Sequence, residues 1–311
     1  MACVLITGGT GLVGTAVKNL LLQKGYEVVL LSRSTISKEG YAHWDINAGT
    51  IDSTAIATAD YIIHLAGAGV ADKRWSKARK QEILDSRTKS SALLVKAMQE
   101  TPNKVKAVIS ASAIGWYGPD KNNGDHHLAA QGFVETDPSY PDFLGTTCAA
   151  WEASIVPVTA NTNGLQKRLV CLRTGIVLSK YGGALKEFLK PLAVRMAAVL
   201  GNGKQMISWI DVRDLAKMFV YAIENESMSG SYNAVAPVPV SNKTLTKTLA
   251  SVLYGKFYIT TYVPSFILKI MLGEMSIEVL KSTTVSAQKI QDTGFVFDYP
   301  EITKSLSTLD L

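Results

Sequence analysis

The strongest constraint on the fold of this chain is a glycine-rich turn near its start, within the stretch MACVLITGGTGLVG. Residues 2–7 form a short apolar run, which predicts a strand buried on both faces. The turn occupies 8–11, and residues 12–24 carry the apolar spacing of a helix. Strand, turn and helix in this order are typical of a dinucleotide site, because glycines let the backbone approach a pyrophosphate and the helix N-terminus offers it unpaired N–H groups.

Two glycine spacings overlap in this turn, Gly9-x-Gly11-x-x-Gly14 and Gly8-x-x-Gly11-x-x-Gly14. A glycine pattern alone is weak evidence, since glycine turns are common. Its position between a strand and a helix favours a phosphate cradle over a plain strand-to-helix turn. The residues of this stretch that we predict to bind a cofactor are Gly8, Thr10, Gly11, Leu12 and Val13.

The end of the second predicted strand, residues 26–31, indicates which dinucleotide is bound. An NAD site places an acidic residue there to bind the ribose 2′-hydroxyl. Here Ser32 and Arg33 follow the strand instead. An acidic group would repel a 2′-phosphate, whereas a guanidinium holds one through charge-assisted hydrogen bonds. These residues therefore favour NADP(H) over NAD; the alternative is that Arg33 is a solvated surface residue.

Strands and helices alternate to about residue 177, which is typical of a parallel sheet with crossover helices. His64 lies inside an apolar run and is interpreted as a core histidine rather than a base. Ser112 ends another strand, where its hydroxyl either donates to a substrate carbonyl or caps the loop. Strands are predicted at 41–44, 61–67, 107–111 and 169–173, and helices at 53–58, 77–99 and 144–155.

The organisation changes beyond this point. Residues 182–200 are predicted to be helical and basic, 206–210 to be a short strand and 212–225 a helix. Pro237 and Pro239 mark a domain boundary.

The predicted fold class is α/β. We expect a Rossmann domain with a doubly wound parallel sheet over 1–236, with 181–203 contributing to the substrate side. A smaller α+β C-terminal substrate domain is expected over 237–311.

A long polar loop spans residues 119–142. A loop of this length is usually either functional or disordered. It contains His126 and His127, but adjacent residues rarely converge on one ion without further ligands, so no metal site is predicted.

Composition excludes several classes of function. Hydrophobic residues make up 47% of the 311 residues and charged residues 19%, as in soluble globular proteins. The net charge of +6 is spread along the chain without a basic run, so we expect an anionic small ligand rather than nucleic acid. The apolar stretch 263–272 is about half of the ~20 residues that span a bilayer, so no membrane segment is expected.

The three cysteines share no metal-type spacing and are odd in number. Unpaired thiols favour a reducing compartment, and no signal peptide precedes the first strand. We therefore expect the cytoplasm.

Taken together, these residues resemble the extended short-chain dehydrogenase/reductases, the NAD(P)-dependent epimerase/dehydratase superfamily. Within it, the chain is similar to the subgroup of epimerase family proteins that are sometimes called cell-division-inhibitor-like. The resemblance runs nearly end to end. It rests on Thr7 to Gly14, Leu65-Ala66-Gly67, the run 71–75, the run 82–87, Ser110 to Gly118, the run 172–178, Ser208-Trp209-Ile210, the run 236–240 and the run 294–300.

The resemblance implies roles for several residues. Ser32 and Arg33 would hold the 2′-phosphate side of NADP(H). Leu65 and Ala66, with Gly67 beside them, would line the ribose, and Val177 would close on the nicotinamide side. Glu82 and Arg87 belong to the helix motif of the subgroup, which implies further cofactor contacts.

The chain departs from the superfamily at its acid/base pair. A Tyr-x-x-x-Lys pair is expected after the strand that ends at Ser112, but the corresponding residues are Leu144 and Cys148. Leucine carries no proton, and a thiol supplies no fixed positive charge. Ser112 remains as a catalytic candidate, and Tyr117 is the substitute proton donor that we predict.

Two functions follow from these residues. The first is an NADP-dependent oxidoreductase or epimerase that acts on a small carbonyl or hydroxyl compound. The second is a non-catalytic protein whose NADP(H) occupancy controls a protein partner. Formation of a homodimer is a further alternative. The sequence identifies neither the substrate nor the direction or stereochemistry of hydride transfer.

Overall fold

The computed structural model describes residues 1–34, 38–120, 132–162 and 165–309. Part of the loop at 119–142, including His126 and His127, therefore lies outside the described residues. The strands of the described residues are β1 (Cys3–Thr7), β2 (Glu27–Ser32), β3 (Tyr41–Asp45), β4 (Thr50–Ile51), β5 (Tyr61–His64), β6 (Ala107–Ala113), β7 (Arg168–Thr174), β8 (Ile176–Ser179), β9 (Gly182–Gly183), β10 (Met196–Leu200), β11 (Met206–Ile207), β12 (Trp209–Asp211), β13 (Gly230–Ala234), β14 (Val240–Ser241) and β15 (Ile259–Val263).

Helices cover both faces of the main sheet and form much of the C-terminal part. Those in the described residues are α1 (Leu12–Gln23), α2 (Ser53–Thr58), α3 (Lys77–Glu100), α4 (Phe143–Ile155), α5 (Ala184–Leu192), α6 (Val212–Glu224), α7 (Asn242–Tyr254), α8 (Ser265–Leu272), α9 (Ser276–Leu280), α10 (Gln288–Asp292) and α11 (Ile302–Ser307).

The main sheet of the described residues has eight strands in the order β13-β7-β6-β5-β1-β2-β3-β4. Its strands are parallel except for β4, which pairs antiparallel with β3. The strand order reverses at β1, because β2 lies on one side of it and β5 on the other. Thr7 is in register with Leu31 and with His64, so the three strands end at one edge. A ligand crevice is expected at this reversal, beyond the carboxyl ends of the strands.

Alternating residues of β1 serve two hydrophobic cores, one on each face of the sheet. Val4 and Ile6 belong to the core that includes residues of α1 and α6. Leu5 belongs to the opposite core, with residues of α2 and α3. All five residues of β1 are buried, as the predicted strand between two helical layers requires. The prediction of a doubly wound α/β fold is therefore confirmed.

The prediction of a continuous helical segment over 182–200 is wrong at both ends. The β8–β9 hairpin precedes α5, and β10 follows it in parallel pairing with β15. The helix ends at Leu192, shortly before Arg195, whose φ of 57° no right-handed helix continues through.

Residues beyond Pro237 contribute to two cores. Leu245, Leu249 and Leu306 pack in a C-terminal core with residues of α5 and β10. Val285 and Phe295, however, belong to the core beneath the main sheet. The C-terminal part is thus anchored on the Rossmann layer, and the boundary at residue 237 stays a prediction.

Helix α1 approaches the glycine turn more closely than a side chain would permit. A Cβ added at Gly14 would lie 2.6 Å from the Cα of Gly9, and it would also clash with the carbonyl oxygen of Gly8. Both neighbours are backbone atoms, so no side-chain rotation relieves the overlap. The third glycine of the spacing therefore sets how closely the helix packs on the turn.

We expect Gly14→Ala to lower the free energy of unfolding by about 1–3 kcal/mol, because the methyl group overpacks a backbone contact. Helix propensity alone predicts the opposite sign, a gain of about 1 kcal/mol. Urea unfolding measures the difference, with Thr15→Ala, an exposed position on the same helix, as the control. A Gly14→Ala protein as stable as the wild type would contradict the close packing.

Candidate cofactor and active site

The turn after β1 lies directly against the end of β5. Gly8 has a φ of 68°, and a Cβ on it would lie 2.9 Å from the carbonyl carbon of Leu65. The Thr7 hydroxyl oxygen accepts hydrogen bonds from the N–H groups of Leu65, at 3.0 Å, and Ala66, at 3.1 Å. The structure thus brings the predicted turn and the predicted ribose-lining residues together.

The N-terminus of α1 is open to an anion. Its N-cap, Gly11, provides no side chain to cap the helix, and the first turn contains no acidic residue. The first N–H groups of a helix have no partner within it and carry the positive end of its dipole. The predicted residues Leu12 and Val13 stand at this terminus, and Thr10 lies exposed in the turn before it. The arrangement fits a pyrophosphate.

The β8–β9 hairpin brings Leu12 close to Val177. A Cβ on Gly183 would lie 3.2 Å from a methyl carbon of Leu12 and 3.4 Å from the carbonyl oxygen of Val177. Two residues that are far apart in sequence, both predicted to touch the cofactor, therefore lie on either side of Gly183.

The predicted 2′-phosphate site lies at the end of β2. Ser32 is half-buried, and its hydroxyl oxygen accepts a hydrogen bond from the Ser34 N–H at 3.1 Å. Arg33 is exposed and, within the described ranges, forms no ion pair. Its guanidinium remains accessible to a phosphate, while the identity of the bound dinucleotide remains a prediction.

His64 belongs to the core, as its apolar surroundings predict. Its Nδ1 lies 2.7 Å from the Thr7 hydroxyl and its Nε2 3.1 Å from that of Ser91. Because Thr7 already accepts two backbone hydrogen bonds, its proton points to Nδ1, which assigns the histidine proton to Nε2. Burial, and secondarily the charge of Arg87, lowers the pKa of His64 to about 3.

Helix α3 fixes the loop that follows β5. The Ser86 hydroxyl accepts a hydrogen bond from the Ala68 N–H at 2.9 Å, and the Trp75 indole N–H donates to the Val70 carbonyl at 3.0 Å. Arg79 also donates to the Gly69 carbonyl. These three side chains were not predicted from the sequence. Arg79 and Ser86 lie at helical spacing with the predicted Arg87, which is the signal that could have found them.

Glu82 and Arg87, which the resemblance groups together, have different surroundings. Glu82 is exposed and pairs with Arg79 at 2.7 Å, and this hydrogen bond lowers the pKa of the Glu82 carboxyl. Arg87 turns inward and donates to the Ala68 carbonyl at 3.0 Å. A Cβ on Gly67 would lie 3.2 Å from Arg87 atoms. The structure therefore places Arg87 at the crevice and Glu82 on the outside of the helix.

Ser112 does not present its proton to the crevice. Its hydroxyl donates to Oε1 of Glu152 at 2.6 Å, and only 2% of the residue is exposed. Arg173 holds this carboxylate with two hydrogen bonds of 2.8 and 3.0 Å. A hydroxyl has one proton, so Ser112 in this arrangement is an acceptor, and the donor role that the sequence suggested for it does not fit the geometry.

Tyr117 is directed into the protein rather than into the crevice. It is fully buried; its hydroxyl donates to Asn233 at 2.7 Å and accepts from Arg173 at 3.0 Å. The short 3₁₀ turn Ile114–Trp116 precedes it, and its ring stacks on Phe133. Burial raises the pKa of Tyr117 to about 12. The role of substitute proton donor does not fit this placement.

Leu144 and Cys148 lie in α4, against the turn that follows β6. A Cβ on Gly115 would lie 3.1 Å from Leu144 and 3.6 Å from the sulfur of Cys148. Burial raises the pKa of Cys148 to about 12, so the thiol stays protonated. These two side chains offer no acid, base or fixed charge, and their correspondence to the superfamily's tyrosine and lysine stays a prediction.

Among the described residues, no three His, Cys, Asp or Glu side chains converge as a metal site would require, and the expectation of no metal stays a prediction. None of the described helices is both long and apolar enough to cross a bilayer.

Comparison with known sequences identifies the family. The model of the NAD-dependent epimerase/dehydratase family matches residues 4–235, and a domain of unknown function, DUF1731, matches 263–309. The chain belongs to the NAD-dependent epimerase/dehydratase family. It is 32% identical over 310 residues to the epimerase family protein SSP1921 of Staphylococcus saprophyticus, covering 98% of each chain. It is 33% identical to the epimerase family protein YfhF of Bacillus subtilis, covering 98% of this chain and 97% of that one.

Solved structures agree with this assignment. The human epimerase family protein SDR39U1 (isoform 2), solved with NADPH, superposes with a TM-score of 0.85 at 28% identity, over 99% of this chain and 98% of that one. UDP-N-acetylglucosamine 4-epimerase from Bacillus cereus superposes with a TM-score of 0.76 at 19% identity, over 99% of this chain and 95% of that one. The second likeness shows the fold alone. The chain is therefore an extended short-chain dehydrogenase/reductase that binds NAD or NADP.

Burial of neutral His64 makes stability depend on pH. The folded pKa of about 3 is below the unfolded value of about 6.5, so the unfolded state binds more protons between these pH values. We expect this site to remove about 1.4 kcal/mol of stability for each pH unit below 6.5. Urea unfolding at pH 7 to 4 should show a steeper loss of stability in the wild type than in His64→Gln, which lacks the His64 contribution.

A His43→Gln variant, changed at a half-exposed histidine of β3, is the matched control and should keep the wild-type pH dependence. An identical pH slope in His64→Gln and the wild type would contradict a neutral buried His64.

Proposed function

We propose that this protein binds NADP(H) and is an oxidoreductase or epimerase that acts on a small carbonyl or hydroxyl compound. The observation that carries the proposal is the accessible Arg33, without an acidic residue beside it, at the end of β2. The glycine turn and the uncapped α1 support binding of the pyrophosphate. The NADPH in the human SDR39U1 structure supports the same choice.

Different residues of the chain would bind different parts of the cofactor. Gly8, Gly11 and the N-terminus of α1 would hold the pyrophosphate, and Ser32 with Arg33 the 2′-phosphate. Leu65 and Ala66 would contact the ribose, and Val177 the nicotinamide. When bound, the nicotinamide supplies or accepts a hydride at its C4.

The polar groups beyond β6 suggest how a substrate would bind. Because Ser112 donates its proton to Glu152, its oxygen is left to accept a hydrogen bond from a substrate hydroxyl. The Tyr117 hydroxyl already donates to Asn233 and accepts from Arg173, so it is withdrawn from proton transfer. We assign the proton of the reaction to water, while Ser112 orients the hydroxyl.

A second candidate function is a non-catalytic sensor whose NADP(H) occupancy controls a protein partner. The observation that favours it is the absence of acid/base groups at Leu144 and Cys148, together with the inward Tyr117. A partner that binds only in the presence or absence of NADP(H), without turnover, would support it.

Homodimer formation remains a separate proposal. The three free, buried thiols of the described residues support a reducing compartment, and we propose the cytoplasm.

The first prediction from this proposal concerns cofactor choice. Arg33→Asp removes the charge that would hold a 2′-phosphate and introduces a repulsive one. We expect NADPH affinity to fall about 10- to 100-fold while NADH affinity changes little, since hydrogen bonds to charged groups contribute about 1.5–3 kcal/mol. Fluorescence titration of both dinucleotides measures the ratio.

Lys256→Asp is the matched control, because it makes the same charge change in the exposed turn between α7 and β15. It should leave both affinities unchanged. Equal loss of NADPH and NADH affinity in Arg33→Asp would show that Arg33 does not select the phosphate.

The second prediction separates the enzyme from the sensor. Once a screen with NADP⁺ or NADPH has found a substrate, Ser112→Ala should lower kcat/KM at least about tenfold, because the group that orients the hydroxyl is lost. NADPH affinity should be unchanged. Wild-type turnover in Ser112→Ala would refute the role of Ser112, and a screen without turnover would favour the sensor.

A further inference from the structure

The C-terminal part of the chain contains a strand with one unpaired edge. Within the described ranges β15 pairs with β10 alone, and these two strands form a separate sheet. The far edge of β10 is covered at its end, because the Leu200 N–H donates to the Asn242 side chain at 2.9 Å and the Leu200 carbonyl accepts from the Gln205 side chain at 3.0 Å. The open edge of this small sheet is therefore β15.

The register of the pair identifies the backbone groups on the open edge. The Ile259 N–H donates to the Arg195 carbonyl at 2.9 Å, so the backbone of Ile259 faces β10. Successive residues of a strand direct their N–H and C=O groups to opposite sides, and Thr260 and Tyr262 therefore direct theirs away from β10. Beyond the β10 ladder, neither residue has a backbone hydrogen bond among the described residues. Two donors and two acceptors are thus available to another strand.

Exposed apolar side chains lie on the strand and on the helix that follows it. Ile259 is 69% exposed, and Met196, its register partner on β10, is exposed on the same face of the pair. Helix α8 begins directly after β15, and its Phe266 and Ile270 are 63% and 70% exposed. These two residues are four positions apart and share one side of the helix. Exposed apolar side chains grouped in this way mark an interaction surface.

The charge of the same part of the chain has one sign. Residues 241–272 contain no aspartate or glutamate and four lysines, which are Lys243, Lys247, Lys256 and Lys269. All four are exposed, and none forms an ion pair with another described residue. Lys256 precedes β15 and Lys269 follows it, so positive charge stands at both ends of the open edge. An acidic partner is complementary to this surface.

Two other occupants fit these observations less well. A second copy of this chain, related by a two-fold axis, would bring four further unpaired lysines to the same surface, and like charges would repel. An anionic membrane would match the charge, but the open backbone groups of Thr260 and Tyr262 would have no partners in hydrocarbon. An extended protein segment satisfies the backbone groups, the apolar side chains and the charge together.

We propose that β15 is a docking site for a protein partner, which adds an extended segment as a further strand of the β10–β15 sheet. The segment has apolar side chains at alternate positions, which contact the exposed apolar face, and acidic residues at its ends, near Lys256 and Lys269. This inference does not depend on the binding of NADP(H) or on turnover, so its failure would leave the proposed function untouched.

The test uses a labelled synthetic peptide with this pattern, Asp-Glu-Val-Thr-Ile-Thr-Val-Glu-Asp, blocked at both ends. Fluorescence anisotropy with the full chain should give a Kd of about 100 μM or tighter, and binding should weaken as salt is added. The charge-reversed peptide Lys-Lys-Val-Thr-Ile-Thr-Val-Lys-Lys has the same apolar residues and is the matched control. It should not bind.

One variant tests the strand pairing itself. Thr260→Pro removes an N–H of the open edge and leaves the β10 ladder intact, a position at which sheets tolerate proline. Peptide affinity should fall about tenfold or more, since the new strand loses a hydrogen bond and meets the proline ring. Thr260→Ala, which keeps the N–H, is the matched control and should stay within about twofold of the wild type.

A second variant tests the charge and does not depend on how Thr260→Pro folds. Lys256→Glu/Lys269→Glu should weaken binding of the acidic peptide about tenfold at low salt and less at high salt. Lys96→Glu, which changes an exposed lysine of α3, is the control and should have little effect.

The outcomes are distinct. The absence of saturable binding of the acidic peptide up to about 1 mM would overturn the inference, as would equal binding of the charge-reversed peptide or wild-type affinity in Thr260→Pro. Two further measurements examine the other occupants. Sedimentation with phosphatidylserine vesicles that Lys256→Glu/Lys269→Glu abolishes, without peptide binding, would assign the surface to a membrane instead. A dimer in analytical ultracentrifugation that Thr260→Pro dissociates would assign the edge to a second copy.

Discussion

The crevice depends on one contact, the close approach of the backbone after β1 to the backbone at the end of β5. Gly8 has no side chain, so its backbone touches that of Leu65, and the Thr7 hydroxyl accepts hydrogen bonds from the N–H groups of Leu65 and Ala66. This contact fixes the glycine turn, the open end of α1 and the ribose-lining loop relative to one another. A side chain at Gly8 would separate them, since both partners are backbone atoms.

A second constraint is the buried polar network beyond β6. Glu152 receives two hydrogen bonds from Arg173 and one from Ser112, and Tyr117 completes the network through Arg173. Burial alone would lower the pKa of Arg173, but its bonds to Glu152 raise it, so the guanidinium keeps its charge. The same bonds that satisfy these buried groups withdraw Ser112 and Tyr117 from proton donation, which is why the chemistry proposed here relies on the cofactor and on water.

The sequence predicted the parts of the molecule in which local pattern and tertiary contacts agree. The β1–turn–α1 unit and the end of β2 follow from glycine spacing and strand patterning. The direction in which a side chain points at a strand end does not follow from local pattern, because contacts with residues distant in the chain decide it. Tyr117 turns inward to Asn233, more than a hundred positions away, and β10 is a strand because β15 pairs with it. The separate surroundings of Glu82 and Arg87 likewise depend on the loop after β5.

The most direct test of this account is amide hydrogen exchange of the wild-type protein with and without NADPH. The cradle formed by the glycine turn and the loop after β5 should exchange more slowly when NADPH is bound, in peptides covering residues 8–15 and 64–70. The same concentration of NADH should protect these peptides less. Unchanged exchange in both segments, or protection confined to other parts of the chain, would contradict the central claim that this edge of the sheet is an NADP(H) site.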